Sequence, residues 1–292
     1  FLGQLADDIG ESLFEEGIEH LIDVQRSRIF IEVDEIEGTS RVLRQVPGIY
    51  SFSVVERSPS ERKELMKALS SYGKERITEG MTYGLKVKRI GNSNYSSQEI
   101  AIEGGGAVIS HLPESSVKVN LRDPDIWIEV EIRGPKAYIF TERTRGMGGM
   151  PASSQGRVAL FLPGMEDGAT ENDPEVKRAL LSSFLMRRRG CKVIPVVEEA
   201  NGGLWKDVLE RSPYGPIGEP FILYAGERIE SSLMSALSKL KVDGLVYPYP
   251  MERIMDRINL GEMPFVTLYP TVSMADDEVQ RWLDVFFIVG NL

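Results

Sequence analysis

The fold of the chain is decided by a stretch in which apolar and polar residues alternate: VKVNLRDPDIWIEVEIRGPKAYIFT, residues 117–141. Over residues 126–132 every second position is isoleucine or valine, which is the period of a strand with one buried face. Residues 117–122 and 137–141 predict two further strands on either side of it. The stretch therefore indicates a β-sheet with one face against a core and one face in solvent.

Cations occupy the solvent side of two predicted strands, the one in residues 117–122 and another upstream of it. The inward residues are Tyr83, Leu85 and Val87 in the upstream strand, and Val117, Val119 and Leu121 in the other. The outward residues are Lys86 and Lys88 in the upstream strand, and Lys118 and Arg122 in the other. Because side chains alternate along a strand, we expect these cations to decorate one side of a sheet.

The middle of the chain is also the segment in which cations are not outnumbered. The 292 residues carry a net charge of −10, but residues 74–147 hold 11 Lys and Arg against 10 Asp and Glu. The candidate RNA-binding residues are Lys86, Lys88, Arg89, Lys118, Arg122, Arg143 and Arg145. Each phosphate contact would add an affinity that falls with salt. The alternative is an ordinary solvated strand face, and charge alone favours that alternative.

Three modules are predicted along the chain. Residues 1–57 form a small α+β module with the order helix, strand, helix, strand, and residues 58–150 form a second α+β module. From residue 157 onward, short apolar strands alternate with helices, which is typical of a doubly wound parallel sheet. Residues 151–292 therefore predict an α/β module, and the chain as a whole is of the α/β class.

Two helices are predicted inside the second module. Ser58 is placed as the N-cap of the first, with Pro59 at the first helical position. The second begins at the capping-box pattern of residues 96–99 and is interrupted by the three glycines of residues 104–106. Because each glycine weakens a helix by up to about 1 kcal/mol, a bend or a close approach to the sheet is expected there.

Composition excludes several kinds of chemistry. Cys191 is the single cysteine, which rules out an intrachain disulfide and a cysteine-cluster metal site, and His20 and His111 are the two histidines. No catalytic residue and no metal ligand is assigned. Because the chain has no apolar run long enough for a membrane span and no signal peptide at its start, a cytoplasmic protein is expected. The sequence starts at Phe1 rather than at a methionine, so the natural chain is expected to begin earlier.

Several pieces of the second module resemble one family in their order and spacing. They are LKVKR (residues 85–89), Ser97 with Glu99, VNL (119–121), Pro124-Asp125, IEVEI (128–132), AYI (137–139) and GMGGMP (146–151). Together they resemble the THUMP domain of the tRNA 4-thiouridine synthetase family, ThiI. Residues 28–33 and 47–49 resemble the ferredoxin-like module that precedes THUMP in that family. The resemblance implies tRNA as the partner, including its 3′ end, and a homodimer.

In the family, a Ser-Gly-Gly-x-Asp-Ser loop (the PP-loop) follows the first strand of the parallel sheet and grips the pyrophosphate of ATP. The corresponding residues here are PGMEDG (163–168), which keep Gly164 and Asp167 but lose both serines. Pro163 has no amide to donate to a phosphate, and neighbouring carboxylates would repel the anion. We therefore expect a degenerate loop, without ATP as a cofactor and without adenylation of tRNA.

Three functions remain open from the sequence. The preferred one is a tRNA-binding protein that presents tRNA to a tRNA-modifying enzyme. The second is an active enzyme that transfers sulfur to tRNA and uses ATP through a rearranged loop. The third is a protein that has lost its RNA ligand and serves only in protein assembly.

Overall fold

The structure is a computed structural model that describes residues 1–91, 94–113, 116–152, 154–162, 170, 172–199, 202–211, 221–223, 229–251 and 266–291. It divides into two compact units, one formed by Phe1–Phe52 together with Arg145–Leu292, and the other by Ser53–Thr144. The predicted division into three modules has its boundaries after residues 57 and 150 instead. In the structure the first and last segments of the chain share one unit.

The N-terminal segment is a small module with a hairpin. Its elements are α1 (Leu2–Glu15), β1 (Leu21–Gln25), β2 (Arg28–Glu32), α2 (Ile36–Gln45) and β3 (Ser51–Phe52). Strands β1 and β2 pair in antiparallel register. Apolar side chains of both helices, among them Leu13 and Leu43, form the core of this module. The predicted order of helix, strand, helix and strand therefore lacks one strand, β1.

The unit of residues 53–144 is a sheet with two helices on one side. Its elements are β4 (Glu56–Pro59), α3 (Arg62–Arg76), β5 (Thr82–Ile90), α4 (Ser97–Val108), β6 (Lys118–Val119), β7 (Ile126–Arg133) and β8 (Lys136–Phe140). The strand order is β4-β8-β7-β5-β6. Strand β5 is parallel to β6 and β7, whereas β8 is antiparallel to β4 and β7. The core lies between the inward side of the sheet and the helices, and includes Leu65, Leu69, Ile100, Ile128 and Ile132.

The prediction of a helix capped by Ser58 is wrong. Residues Glu56–Pro59 form an edge strand, in which Ser58 pairs with Ala137 and is buried. An edge strand tolerates Pro59 because its missing amide can lie on the unpaired side. The helix begins later, at Arg62.

The second predicted helix start is confirmed. The Ser96 hydroxyl accepts a hydrogen bond from the Glu99 amide at 3.1 Å, and the Glu99 carboxylate accepts one from the Ser96 amide at 2.6 Å. Helix α4 then continues without a break through the three glycines. The predicted close approach of this helix to the sheet is confirmed, because a Cβ on Gly104 would lie 2.8 Å from Leu69 Cδ1 and 2.9 Å from Leu85 Cδ2.

The C-terminal segment contains the predicted parallel sheet. Its elements are β9 (Thr144–Arg145), β10 (Arg157–Phe161), α5 (Pro174–Arg188), β11 (Lys192–Glu198), α6 (Gly202–Arg211), β12 (Phe221–Leu223), α7 (Ile229–Leu240), β13 (Gly244–Val246), β14 (Val266–Leu268) and α8 (Asp276–Asn291). The strand order is β12-β11-β10-β13-β14, and each neighbouring pair is parallel. Alternate residues of β10 belong to two different cores, one with α5 and α6 and one with α7. Burial on both faces explains why the strands are continuous apolar runs, and the α/β class is confirmed.

Hydrogen bonds join the N-terminal segment to the start of the C-terminal segment. The Gly48 amide donates to the Gly148 carbonyl at 2.9 Å, and the Gly148 amide donates to the Ile49 carbonyl at 2.7 Å. The Asp8 carboxylate accepts from the Ala152 amide at 2.7 Å. The unit therefore depends on backbone contacts between segments that are far apart in sequence.

Candidate nucleic-acid interface

The side of the sheet that faces away from α3 and α4 carries the predicted lysines. In β5 the side chains of Tyr83 and Leu85 are buried in the core, whereas those of Lys86 and Lys88 are exposed. The period of two places both lysines on the outward side, as expected. We call this outward side the cationic face, formed by Lys86, Lys88, Lys118, Trp127, Glu129 and Glu131.

Strand register decides which other residues share the cationic face. Lys118 pairs with Thr82. Thr82 lies four residues before Lys86 and so is on the same side of the sheet. On the other edge of β5, Lys86 pairs with Glu129 and Lys88 pairs with Glu131. Paired residues of neighbouring strands point to the same side. The face therefore gains one lysine and two carboxylates from the pairing.

Both carboxylates of the cationic face are matched by arginines. Arg143 donates from Nε to Glu129 Oε1 at 3.1 Å and from Nη2 to Oε2 at 2.5 Å. Arg133 Nε donates to Glu131 Oε1 at 2.5 Å. The hydrogen bonds with Glu129 raise the pKa of Arg143 above its usual value, so the guanidinium stays charged. Two ion pairs thus offset the carboxylates, and Lys86, Lys88 and Lys118 supply the positive charge.

Arg89 and Arg145 are not part of the cationic face. Arg89 is one residue out of phase with the lysines, and its Nη1 donates to the Tyr95 carbonyl at 2.7 Å. That bond fastens the segment leading into α4. Arg145 is exposed but belongs to the other compact unit, in β9. The structure therefore groups Lys86, Lys88, Lys118 and Arg143, whereas Arg89 points away from them.

The predicted inward positions of Val119 and Leu121 are wrong. Their exposed fractions are 61% and 67%, and β6 is only two residues long. The chain leaves the sheet at Asn120, whose side-chain oxygen accepts from the amides of Arg122 at 3.0 Å and Asp123 at 3.2 Å. This turn ends the alternation and holds Arg122 in an exposed loop.

Trp127 belongs to the cationic face but is not among the candidate residues predicted from the sequence. It pairs with Gly84, and a Cβ on Gly84 would overlap the six-membered ring of the indole. The Lys86 ammonium lies 3.5 Å from the ring centroid of Trp127. The signal was present in the sequence, because Trp127 alternates with the inward residues Ile126 and Ile128.

The carboxyl edge of the parallel sheet is where ligands bind in folds of this type. The strand order reverses between β10 and β13, and the predicted loop residues Gly164 and Asp167 follow β10 but lie outside the described residues. After β13, the ring of Tyr247 stacks on Tyr249 at 6.2 Å and on Tyr269 at 6.1 Å between centroids. Tyr249 is only 2% exposed. Packed tyrosines therefore occupy the described part of this edge beside β13.

Outside the cationic face, the candidates for nucleophiles or metal ligands are the described cysteine and histidine side chains and the acidic groups. Cys191 is buried in the core beside β10, and burial raises the pKa of its thiol, so it is not a reactive thiolate. His111 Nε2 lies 3.1 Å from the Ile77 carbonyl oxygen. Within the described ranges, His, Cys, Asp and Glu side chains do not gather in a group of three that could hold a metal ion. Each described helix is too short or too polar to cross a bilayer.

Comparison with known proteins identifies one domain. Residues 60–142 match the model of the THUMP domain, inside the unit of residues 53–144. The domain predicted from the sequence is thereby confirmed.

Curated relatives with similar sequences are named probable tRNA sulfurtransferases. The protein of Methanothermobacter thermautotrophicus is 29% identical over 179 residues, which cover 60% of this chain and 42% of the relative. The protein of Methanocaldococcus jannaschii is 30% identical over 221 residues, covering 71% of this chain and 53% of the relative. The chain thus spans about half the length of these relatives.

Two solved structures share the fold over nearly the whole chain. PH1313 from Pyrococcus horikoshii Ot3 superposes with a TM-score of 0.76 at 23% identity, covering 98% of this chain and 94% of that one. A 4-thiouridine synthetase, solved as an RNA complex with bound ATP, superposes with a TM-score of 0.71 at 16% identity, covering 97% and 82%. The ThiI-like architecture predicted from the sequence is confirmed at the level of the fold.

Proposed function

We propose that this THUMP-domain chain binds tRNA on its cationic face. The observation that carries the proposal is that three lysines from two strands share one side of the sheet, inside the residues that match the THUMP domain. The relatives named tRNA sulfurtransferases, and the synthetase solved with RNA, support tRNA as the nucleic acid. The unpaired 3′ end of the tRNA is the proposed part of the ligand, because single-stranded ends expose their bases.

The proposed affinity is moderate and depends on salt. The whole chain carries a net charge of −10, so attraction to phosphates is limited to the local surface. On that side of the sheet, Glu129 is half-buried and Glu131 is buried, and each is held by an arginine. Lysine side chains bind phosphates as mobile point charges, which gives attraction without sequence selectivity.

The experiment compares two double substitutions in the intact chain. Lys86→Glu with Lys88→Glu reverses two charges on the cationic face. Lys63→Glu with Lys74→Glu reverses two exposed charges on helix α3, on the opposite side of the sheet. Binding of a fluorescent tRNA is measured by anisotropy over a range of salt concentrations.

The variant with Lys86→Glu and Lys88→Glu should bind tRNA more weakly. Its slope of log K against log salt should be shallower by about 2, since each lost phosphate contact removes about 0.9 from the slope. The variant with Lys63→Glu and Lys74→Glu should keep the slope of the unmodified chain. Binding that does not depend on salt, or equal losses in the two variants, would contradict the proposal and favour a role in protein assembly.

We further propose that the chain does not adenylate tRNA. The sequence after β10 lacks both serines of the family loop. After β13, the Tyr247 amide donates to the Leu268 carbonyl at 2.9 Å, and Pro248 and Pro250 have no amide to offer a phosphate. The residues present therefore do not fit ATP in the manner of the family. In this proposal the chain presents tRNA to a separate modifying enzyme, and a homodimer is the proposed assembly.

A second candidate function is an active sulfur-transferring enzyme that uses ATP through a rearranged loop. The names of the curated relatives favour it. The two candidates are separated by measuring ATP binding by calorimetry and tRNA-dependent release of pyrophosphate. Turnover that requires both ATP and tRNA would overturn the first candidate, whereas tRNA binding without pyrophosphate release supports it.

A further inference from the structure

Trp127 contacts a glycine and a lysine of the neighbouring strand β5. It stands on the cationic face at the start of β7 and is half-buried. Its indole lies over Gly84, where any larger residue would displace it. The ring is therefore fixed against the backbone of β5, and the Lys86 ammonium lies 3.5 Å from its centroid.

We propose that Trp127 is a stacking surface for an unpaired RNA base, and that Lys86 leaves the ring to contact a phosphate of the same strand. The inference rests on the proposed RNA binding and adds to it a base-contacting residue. Bases of every type have a flat π-face, so this contact would not depend on sequence.

Relative magnitudes favour the exchange of the ammonium for a base. A cation over an exposed ring contributes about a two- to fivefold factor to an equilibrium constant. A base stacked on an aromatic side chain contributes about a five- to 150-fold factor. The ammonium also gains a phosphate partner when it leaves, because its four-carbon stem is flexible. A base should therefore bind the ring of Trp127 more strongly than the Lys86 ammonium does.

The surroundings of the ring suit a single strand. Strand β5 lies between β7, which carries Trp127, and β6, which carries Lys118. Lys88 lies on β5 four residues after Gly84, on the same face of the sheet. Neighbouring strands are about 4.8 Å apart, so these cations lie within about 10 to 15 Å of the ring. A base inside a duplex is stacked on both faces and cannot reach the ring, so the contact selects unpaired nucleotides.

The test uses two RNA hairpins with the same stem, one with an unpaired 3′ extension and one with a blunt end. Binding by the full chain is compared with that by Trp127→Ala and Trp127→Phe. Trp282→Ala serves as the matched control, because Trp282 is the other accessible tryptophan and lies on α8. Melting temperatures of all variants verify that they are folded.

Trp127→Ala should weaken binding of the extended hairpin by about five- to 150-fold and leave the blunt hairpin within about twofold. Trp127→Phe should retain most of the preference, since phenylalanine also stacks. With 5-fluorotryptophan in the chain, the fluorine signal that disappears in Trp127→Phe should shift only when the extended hairpin is added.

Three results would overturn the inference, and they differ in what else they affect. If Trp127→Ala binds the extended hairpin as tightly as the unmodified chain, stacking is absent while RNA binding stands. If it weakens both hairpins equally, Trp127 supports the surface and does not contact a base. If the unmodified chain binds neither hairpin, the proposed RNA binding fails together with the inference.

Discussion

At the scale of single residues, the charge of the cationic face depends on which acidic and basic side chains lie next to each other. Glu129 lies in register with Lys86, and Arg143 binds that carboxylate through two hydrogen bonds. The carboxylate therefore limits the positive potential that the lysines create, while it also fixes the guanidinium near the sheet. The same arginine lies over the ring of Phe140, 5.3 Å from its centroid.

We predict that Glu129→Gln strengthens RNA binding. The amide keeps the size of the side chain but removes a negative charge whose repulsion of a phosphate a few ångströms away is about 1 kcal/mol in water, so affinity at low salt should rise about fivefold. Glu103→Gln is the matched control, because Glu103 is also paired with an arginine, Arg62 at 2.5 Å, but stands on α4. Weaker or unchanged binding of RNA by Glu129→Gln would mean that the RNA does not approach this face.

Asp8 gives the N-terminal module a dependence on pH. Burial raises the pKa of its carboxyl above the usual 3.8, and the hydrogen bonds from Gln4 and the Ala152 amide offset this only in part. As pH rises through the interval between the unfolded and folded pKa values, the unfolded chain loses its proton first. Ionisation of Asp8 therefore lowers the free energy of unfolding across that interval, and the loss persists at higher pH.

Asp8→Asn should remove this loss, because asparagine keeps an oxygen that accepts from the Ala152 amide. Relative to the unmodified chain, the variant should become more stable as pH rises from about 4 to about 7. The measurement is urea unfolding at several pH values, with Asp7→Asn on the exposed side of α1 as control. A stability difference that is the same at every pH would refute the assignment.

At the scale of elements, glycines set how closely the two helices of the THUMP unit approach. A Cβ on Gly73 of α3 would overlap the Val108 carbonyl of α4, whereas a Cβ on Gly106 would meet nothing within 4 Å. Both residues are inside helices, so they carry the same intrinsic cost of glycine. Their different surroundings therefore separate packing from helix propensity.

We expect Gly73→Ala to destabilise the unit by about 1 to 3 kcal/mol, since backbone atoms must move apart to admit the methyl group. Gly106→Ala should stabilise it by about 0.5 to 1 kcal/mol, because only the entropy of the unfolded chain changes. Hydrogen exchange of the α3 and α4 amides measures both effects locally. Equal effects of the two substitutions would show that the helices are not in close contact.

At the scale of the whole molecule, one compact unit is continuous in sequence and the other is not. Residues 53–144 contain every strand and helix of their own core. Residues 1–52 lie in a unit with residues 145–292, and share backbone hydrogen bonds at Gly48 and Ile49 with the segment that follows β9.

Excision should therefore affect the two parts differently. A fragment of residues 53–144 should fold alone and show dispersed amide signals by NMR, because its core is closed within the fragment. A fragment of residues 1–52 should remain largely unfolded, since it loses partners for its buried backbone groups and has too small a core. The opposite outcome, with the first fragment folded and the second not, would be inconsistent with these units.

The sequence by itself determined strands β5, β7 and β8 of the THUMP domain, the capped start of α4 and the parallel sheet, because these depend on periodicity and caps among residues close together in the chain. It missed the strand at Glu56–Pro59, which exists because Ser58 pairs with Ala137 about 80 residues away. The tertiary structure alone decided that Lys118 and Trp127 lie on either side of the same lysine strand, and that the Arg89 guanidinium donates to the Tyr95 carbonyl instead of joining them. The physical reason is register: pairing between distant strands chooses which side chains share a face, and a shift by one residue would reverse that choice.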